Sequence, residues 1–303
     1  MGTSVAVPSL SAAARRHAIV CVLSASATFS FGAAVVKALT ESVPIMEIVA
    51  ARSLVGFLAM LPVLWRQGGI GALATRRPGG HVLRTLYGFI GTVTTIYGYT
   101  VLPLATVTAL GFAMPLCLTA LSVPMLGERV GWRRASAVLV GFGGVMIMLR
   151  PWRGGAEALP AFAVGAVLAG VVAWALAMIS IRRMGEAGEK NVTIVAWYSL
   201  GTALLALVGA VPVWVTPSLG QLAALALAGV LSGTAQLLMT EGYRAGEATL
   251  VAPFEYGAIV YTTLLGLVFW GEWPDRWSLL GVAILVGAGL YIWRREVTLG
   301  LRR

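Results

Sequence analysis

Four charged residues lie inside or at the edge of long apolar segments, where charges can bind ions or polar substrates. Arg52 and Glu255 lie within such segments, Glu47 precedes Arg52 by five residues, and Lys37 lies near the end of the first segment. A charge inside a membrane costs about 2.5–3.5 kcal/mol on insertion scales, so these residues are candidates for substrate handling or gating. They can instead be structural: Arg52 can pair with Glu47 or Glu41, and Lys37 can extend its ammonium group to the membrane surface.

Glu255 differs from the others because no basic residue lies three or four positions away on its own helix. We therefore expect it to face a cavity, a partner helix or a proton. It follows Pro253, which removes one helical hydrogen bond and frees a carbonyl group. Broken helices near the membrane midplane supply backbone groups to substrates in transporters. Pro253 is thus a candidate hinge, although a proline can also do no more than kink a membrane helix.

Aromatic and amide side chains form a second group of candidates. Trp174 and Gln236 lie in the middle of apolar segments, where their N–H groups need a polar partner or water. Three tyrosines within or close to apolar segments, Tyr99, Tyr243 and Tyr256, add hydroxyl groups. Together these five residues predict a hydrated, partly aromatic cavity. The alternative is that they only pack between helices.

The composition excludes most soluble classes of protein. Of 303 residues, 58% are hydrophobic and 11% are charged, whereas soluble proteins carry roughly 25% charged residues. The net charge of +10 is not accompanied by a basic stripe with interleaved aromatics, so nucleic acid is not an expected partner. Cys21 and Cys117 have neither metal-ligand spacing nor a disulfide pattern, and no metal site is expected.

The chain is predicted to be an all-α polytopic membrane protein, because a spanning helix needs about 20 mostly apolar residues. We predict ten transmembrane helices, at roughly 17–37, 44–65, 83–102, 104–126, 134–149, 159–181, 192–214, 220–240, 249–270 and 277–293. Arg15 and Arg16 precede the first segment as in a signal peptide. Its apolar run is longer than the usual 7–15 residues, however, so it is interpreted as a retained helix.

The basic residues predict the orientation of these helices. Of the 22 lysines and arginines, 17 fall on the side that holds both termini and four on the other side, while Arg52 lies within a span. Cytoplasmic loops carry the excess of Lys and Arg. Both termini are therefore predicted to be cytoplasmic, in a bacterial inner membrane.

The two halves of the chain resemble each other. Residues 48–50 and 53–54 recur as 194–196 and 199–200, the first span aligns with the sixth at an offset of 145, and Gly98-Tyr99 and Gly127-Glu128 recur 144 residues later. A unit of five spans is odd, so the second copy must enter the membrane from the opposite side. Such inverted repeats are typical of secondary transporters, with the substrate site near the midplane.

The repeat divides the chain into five parts. We predict a cytoplasmic tail over 1–16, a first five-helix repeat over 17–150, a linker over 151–158, a second inverted repeat over 159–295 and a tail over 296–303.

At this point the sequence resembles the drug/metabolite transporter superfamily, in its EamA-type branch. The resemblance is carried by the 5+5 repeat, the Gly-Glu pairs after spans four and nine, Lys37 near the end of span one and Arg52 early in span two. Within the branch the chain is most similar to bacterial YddG-type exporters of aromatic amino acids. The resemblance implies an alternating-access carrier with a central cavity, no ATP use and no cofactor.

The leading interpretation is a secondary transporter, not an enzyme, that moves amino acids or related small metabolites, most plausibly outward. Glu255 would accept the ammonium group of the substrate, and Gln236, tyrosine hydroxyls and backbone N–H groups would bind its carboxylate. One alternative is a carrier of hydrophobic cations or drugs, held by an anionic Glu255 in an aromatic box. A remote alternative is an intramembrane enzyme. The functional unit is expected to be a monomer, and protons are a candidate coupling ion.

Overall fold

The computed structural model describes residues 12–126, 132–150, 159–245 and 254–300. Pro253, the Gly127-Glu128 pair and the predicted linker at 151–158 lie outside the described residues, as does the side chain of Tyr243.

The described residues are helical and contain no strand. Eleven α-helices are named here in chain order: α1 Ala12–Leu39, α2 Ile45–Arg66, α3 Pro78–Val101, α4 Leu104–Gly111, α5 Met114–Leu126, α6 Trp132–Leu149, α7 Ala161–Glu186, α8 Asn191–Ala210, α9 Leu219–Ala245, α10 Gly257–Trp270 and α11 Arg276–Gly300. Short 3-10 turns lie at Gly69–Leu73 and Val211–Val213.

These helices match the ten predicted spans. Six described stretches are long and apolar enough to cross a membrane: Arg15–Leu39, Ile45–Arg66, Leu104–Met125, Ala161–Glu186, Asn191–Val213 and Leu219–Gln236. Three shorter apolar helices lie at Ala135–Leu149, Gly257–Trp270 and Arg276–Tyr291. The tenth is α3, which has 24 residues and several glycines and threonines. The prediction of ten helices is thereby confirmed.

The fourth span is broken, as a proline at 115 leads one to expect. Helix α4 ends at Gly111 and α5 begins at Met114. Pro115 has no N–H to donate to the carbonyl of Gly111, and its ring crowds that carbonyl. The interruption places residues 112 and 113 near the middle of the span.

The packing of the helices obeys the repeat. Helix α1 packs along α9, and α3 packs along α7. Spans one and six hold equivalent positions in the two repeats, as do spans three and eight. The contact of span one with span eight (α1 with α9) is therefore equivalent to the contact of span six with span three (α7 with α3). Helices α2 and α8, which are mates of each other, also pack together, as do α6 and α11. Two inverted five-helix units would pack with this symmetric pairing of equivalent helices.

Large apolar side chains cover much of the outside. Phe162, Leu204 and Val268 are each more than 60% exposed, whereas soluble monomers rarely expose large contiguous apolar patches. The surface is therefore suited to lipid. Inside, Leu110, Leu116 and Ile48 are completely buried among helices of both repeats.

The bundle has two ends. We call the end that holds residues 40–44, 102–103 and 211–218 the outer end, and the end that holds residues 67–77 and 187–190 the inner end. Contacts between loops agree with ten crossings: the backbone N–H of Val215 donates to Glu47, and Arg150 pairs with Asp275, all at the outer end. Burial would raise the pKa of Asp275, but the hydrogen bond from Ser278 and the Arg150 guanidinium outweigh burial and hold that pKa below its ordinary value.

The charge asymmetry predicts that the inner end faces the cytoplasm. We expect Ala74→Cys to react with a membrane-impermeant maleimide only in inside-out vesicles, and Thr216→Cys only in intact cells. Both positions are exposed, and the native Cys21 and Cys117 are buried and would be replaced with alanine in each variant. Labelling of both variants from the same face would contradict the topology.

Candidate functional site

A cavity of about 360 Å³ lies at the centre of the bundle. Helices α1, α2, α3, α4 and α5 from the first repeat and α7, α9 and α10 from the second line it. Its small polar groups are hydroxyls, from Ser30, Thr92, Thr95, Thr108, Ser232 and Thr262. Pockets for small ligands have volumes of about 300–1,000 Å³ and combine apolar walls with a few polar groups. The cavity therefore has the size and character of a small-molecule site.

Arg52 is the charged residue in the described lining of the cavity. Its Nε donates a hydrogen bond to the hydroxyl oxygen of Ser232 on α9, at 2.9 Å. A guanidinium group has five N–H donors, and among the described residues Ser232 is the hydrogen-bond partner of one of them, which leaves the others for a ligand. Tyr99 of α3 lines the same cavity and adds a phenol group.

The prediction that Arg52 pairs with Glu47 or Glu41 is wrong. Glu47 accepts a hydrogen bond from the backbone N–H of Val215 at 2.6 Å, and Glu41 accepts one from the indole of Trp270 at 3.1 Å. Residues five apart on a helix point about 140° away from each other, because each residue turns the helix by about 100°. Arg52 and Glu47 therefore face different neighbours.

The remaining predicted site residues divide into two groups. Trp174 and Tyr99 line the cavity. Gln236 lies on an exposed part of α9, and Glu255 lies half-buried just before α10. Neither is among the described residues that line this cavity, and their roles in binding stay predictions. Tyr256 also lies outside the lining and packs against Phe112, with ring centroids 4.6 Å apart.

No acidic residue is found in the lining of the cavity within the described part of the chain. With Arg52 present, the site is electropositive. Its chemistry suits a ligand that carries an anionic group and a part that can lie against Trp174.

Sequence reasoning missed Arg84. The charge count includes Arg84 among the 17 basic residues of the side that holds the termini, but Arg84 is 7% exposed within α3. Its guanidinium carbon lies 4.1 Å from the ring centroid of Tyr198 and 5.7 Å from that of Trp174. Two of its nitrogens, Nε and Nη1, are buried with no hydrogen-bond partner among the described residues.

A signal for this arrangement was present in the sequence. Gly88 and Gly91 follow Arg84 at i+4 and i+7, on the same face of α3. A Cβ atom on Gly88 would collide with Arg84 and lie 2.5 Å from Cε2 of Tyr198, and one on Gly91 would lie 2.5 Å from Nε1 of Trp174. An arginine followed by glycines at this spacing indicates a niche for bulky side chains from neighbouring helices.

A buried ion pair ties the outer end together. Lys37, 7% exposed, pairs with Glu272 and donates a second hydrogen bond to the carbonyl of Leu102 at 3.1 Å. The other oxygen of Glu272 accepts a hydrogen bond from the backbone N–H of Leu104 at 2.9 Å. Lys37 is thus paired, and it does not extend to the membrane surface. The pair joins α1 and the α3–α4 turn in the first repeat to the end of α10 in the second.

The inner end is also joined across the repeats. The hydroxyl of Thr75 donates to Glu189 at 2.7 Å, and Nε2 of the buried His81 lies 3.5 Å from the other carboxylate oxygen of Glu189. The hydrogen bond from Thr75, assisted by His81, outweighs burial and holds the pKa of Glu189 below its ordinary value. The carboxylate therefore stays ionised and keeps the two loops together.

The chain matches the model of the EamA-like transporter family twice, over residues 16–150 and 161–294. The two matched stretches begin 145 residues apart, which agrees with the internal offset of 144–146 found in the sequence.

Three curated proteins illustrate its similarity to known transporters. It is 30% identical over 225 residues to an S-adenosylmethionine uptake transporter from Rickettsia bellii, covering 74% of this chain and 75% of that protein. It is 33% identical over 250 residues to a riboflavin transporter from Rhizobium johnstonii, covering 80% and 78%. It is 28% identical over 286 residues to a pseudopaline exporter from Pseudomonas aeruginosa, covering 93% and 97%.

A solved crystal structure supports the fold. It aligns with a TM-score of 0.62 and 21% identity, over 92% of this chain and 98% of the other. At that level of identity the likeness concerns the fold alone.

Proposed function

The chain belongs to the EamA-like transporter family, and from this premise we propose that it is a secondary transporter of amino acids or closely related carboxylate-bearing metabolites. It is a membrane transporter rather than an enzyme, since its family and relatives are transporters. The names of the relatives give three chemically different substrates, and they include both uptake and export. The cavity itself is therefore the better guide to the substrate.

The observation that carries the proposal is Arg52 in the lining of the central cavity. Its planar guanidinium matches a carboxylate, which it can bind through two parallel hydrogen bonds. Ser232 accepts from Nε and holds the side chain in place, and Thr95 and Tyr99 line the same cavity. This reverses the role expected from the sequence: the carboxylate is the group anchored, and an arginine anchors it.

The rival function, a carrier of hydrophobic cations, fits the cavity less well. A cation site needs an anionic or electron-rich lining. Trp174 and Tyr99 supply aromatic faces, but the fixed charge beside them is positive. A cation without a carboxylate would be repelled by Arg52.

We propose that transport proceeds by alternating access in a monomer of the bacterial inner membrane, with export as the direction. Contacts at the outer end, between Lys37 and Glu272, and at the inner end, between Thr75 and Glu189, each join one repeat to the other. Breaking one set while keeping the other would open the cavity to one side at a time. The broken helix formed by α4 and α5 reaches the cavity through Gly111 and Met114, and it supplies a bending point.

The purified protein in proteoliposomes tests the substrate class. We expect labelled amino acids to exchange across the membrane without ATP, and L-phenylalanine to compete where phenethylamine, its decarboxylated analogue, does not. The measurement uses a panel of amino acids, hydrophobic cations and sugars, with and without a pH gradient. Transport of cations with no competition from amino acids would establish the rival function, and dependence on the gradient would identify protons as the coupling ion.

A further inference from the structure

Arg84 is a buried cation that the described cavity does not use. It lies behind two aromatic side chains, Tyr198 and Trp174, of which Trp174 lines the cavity. The hydroxyl of Tyr198 lies 3.2 Å from that of Thr92, another lining residue. Arg84 is therefore separated from the cavity by a single layer of side chains. The part of the chain that the structure describes gives its Nε and Nη1 groups no hydrogen-bond partner, and an unsatisfied buried donor on a charged group is costly.

The repeat relates the surroundings of Arg84 to those of Arg52. At the offset of 146 residues Arg52 corresponds to Tyr198, and at the offset of 144 Ser232 corresponds to Gly88. These residues form two repeat-related contacts between helices, which we call junctions. In the first junction, Arg52 on α2 donates a hydrogen bond to Ser232 on α9. In the second, Tyr198 on α8 reaches over Gly88 on α3, close enough that a Cβ there would collide. Arg84 lies one helical turn before Gly88 and brings a guanidinium to this second junction.

The two arginines lie at similar depths from opposite ends of the bundle. Arg52 is the eighth residue of α2, counted from the outer end, and Arg84 is the seventh residue of α3, counted from the inner end. At 1.5 Å per residue each lies roughly 10 Å below its end. Each repeat-related junction thus carries one guanidinium, one near each face of the membrane.

We propose that Arg84 is a second binding residue for the substrate carboxylate, which it holds when the cavity is open at the inner end. In that state the rings of Tyr198 and Trp174 separate from Arg84, and its unpartnered N–H groups bind the carboxylate that Arg52 releases. This inference rests on the proposed function, since it concerns the same substrate, but it assigns the inner half of the pathway to a different residue.

Sided binding measurements test the assignment. We expect Arg84→Met, which keeps an unbranched apolar stem and removes the guanidinium, to raise the half-saturating concentration of L-phenylalanine at the inner face by about 10-fold or more. The increase at the outer face should be at least several-fold smaller. Arg84→Lys should fall between, because an ammonium keeps the charge but lacks the planar fork. The faces are compared in inside-out and right-side-out vesicles, and Arg66→Met, an exposed arginine at the inner end, is the matched control.

The outcomes separate this inference from the proposed function. If the wild-type protein transports no amino acid, the proposed function fails. If it transports L-phenylalanine and a stable Arg84→Met variant changes both faces equally, or neither, Arg84 is only a packing residue and the inference is overturned.

Where Arg84 variants do not fold, a second measurement on the wild-type chain tests whether Arg84 binds the substrate carboxylate. Phenylglyoxal modifies accessible arginines, and peptide mass spectrometry identifies each site. We expect L-phenylalanine, but not L-phenylalaninamide, to protect Arg84 in inside-out vesicles. Equal modification of Arg84 with the acid, the amide and no ligand would overturn the inference.

Discussion

Arg52→Gln is expected to raise the half-saturating concentration of an amino-acid substrate by between about 10- and 150-fold. A hydrogen bond to a charged group contributes about 1.5–3 kcal/mol, and a bidentate arginine–carboxylate contact lies at the strong end of that range. Glutamine keeps donors near Ser232 but loses the charge and the fork. The measurement is L-phenylalanine exchange in proteoliposomes, together with the melting temperature of the purified variant.

Two variants and one ligand separate binding from structure. Ser232→Ala removes the acceptor that holds Arg52, and we expect it to weaken binding by only a few-fold. Arg52→Lys keeps the charge without the fork and should fall between Ser232→Ala and Arg52→Gln. L-phenylalaninamide, which has no carboxylate for Arg52 to hold, should lose no affinity in any of the three variants, and Arg52→Gln should relieve its repulsion. If Arg52→Gln and Ser232→Ala lower stability equally while substrate preference stays that of the wild type, Arg52 only joins α2 to α9.

The helices and their duplication were predictable from the sequence because both depend on local or periodic information. Apolar runs of about 20 residues locate spans directly, and the fragments at 48–50 and 194–196 give the offset without any three-dimensional knowledge. The break at 112–113 was also signalled, since Pro115 cannot donate its hydrogen bond to Gly111. Each of these features is decided within a few residues of chain.

The pairing of charges was not predictable in the same way. Lys37 has Glu41 four residues away, yet its partner is Glu272, 235 residues along the chain. Helical spacing predicts contacts on one helix, whereas in a ten-helix bundle the nearest opposite charge is often on another helix. Once the repeat is known, one clue remains: Glu272 belongs to a repeated Gly-Glu pair, and Lys37 aligns with a basic residue, Arg182, in the second repeat.

Arg84 shows a different limit. A count of basic residues assigns each arginine to a side of the membrane, and it cannot distinguish an arginine in a loop from one buried seven residues into a helix. Only the neighbouring glycines, Gly88 and Gly91, indicated that bulky groups approach α3 at this point. Charge and small residues must be considered together before such a position is recognised.

Breaking the ion pair at the outer end should open the cavity to the outside. We expect Glu272→Gln to raise the rate at which a membrane-impermeant thiol reagent, added outside, labels Thr108→Cys in the cavity lining. Removing one partner of a buried ion pair costs about 3–5 kcal/mol, because the other charge is left buried. Opening the outer end would bring Lys37 into water and relieve that cost. The open population, and with it the labelling rate, should therefore rise by between about 10²-fold and about 4 × 10³-fold.

Two controls test whether the buried charge is the cause. Glu41 lies at the same end, is exposed, and bonds the indole of Trp270, so Glu41→Gln should change labelling by less than about threefold. The double variant Lys37→Met/Glu272→Gln leaves no charge buried, and glutamine can still accept the hydrogen bond from Leu104. It should return labelling close to the wild-type rate, as apolar replacements of buried ion pairs are tolerated. If the single and double variants label equally fast, opening does not arise from the unpaired Lys37. If both label as slowly as the wild type, the contacts of Glu47 and Gln221 are sufficient to hold the outer end, because each also joins the two repeats there.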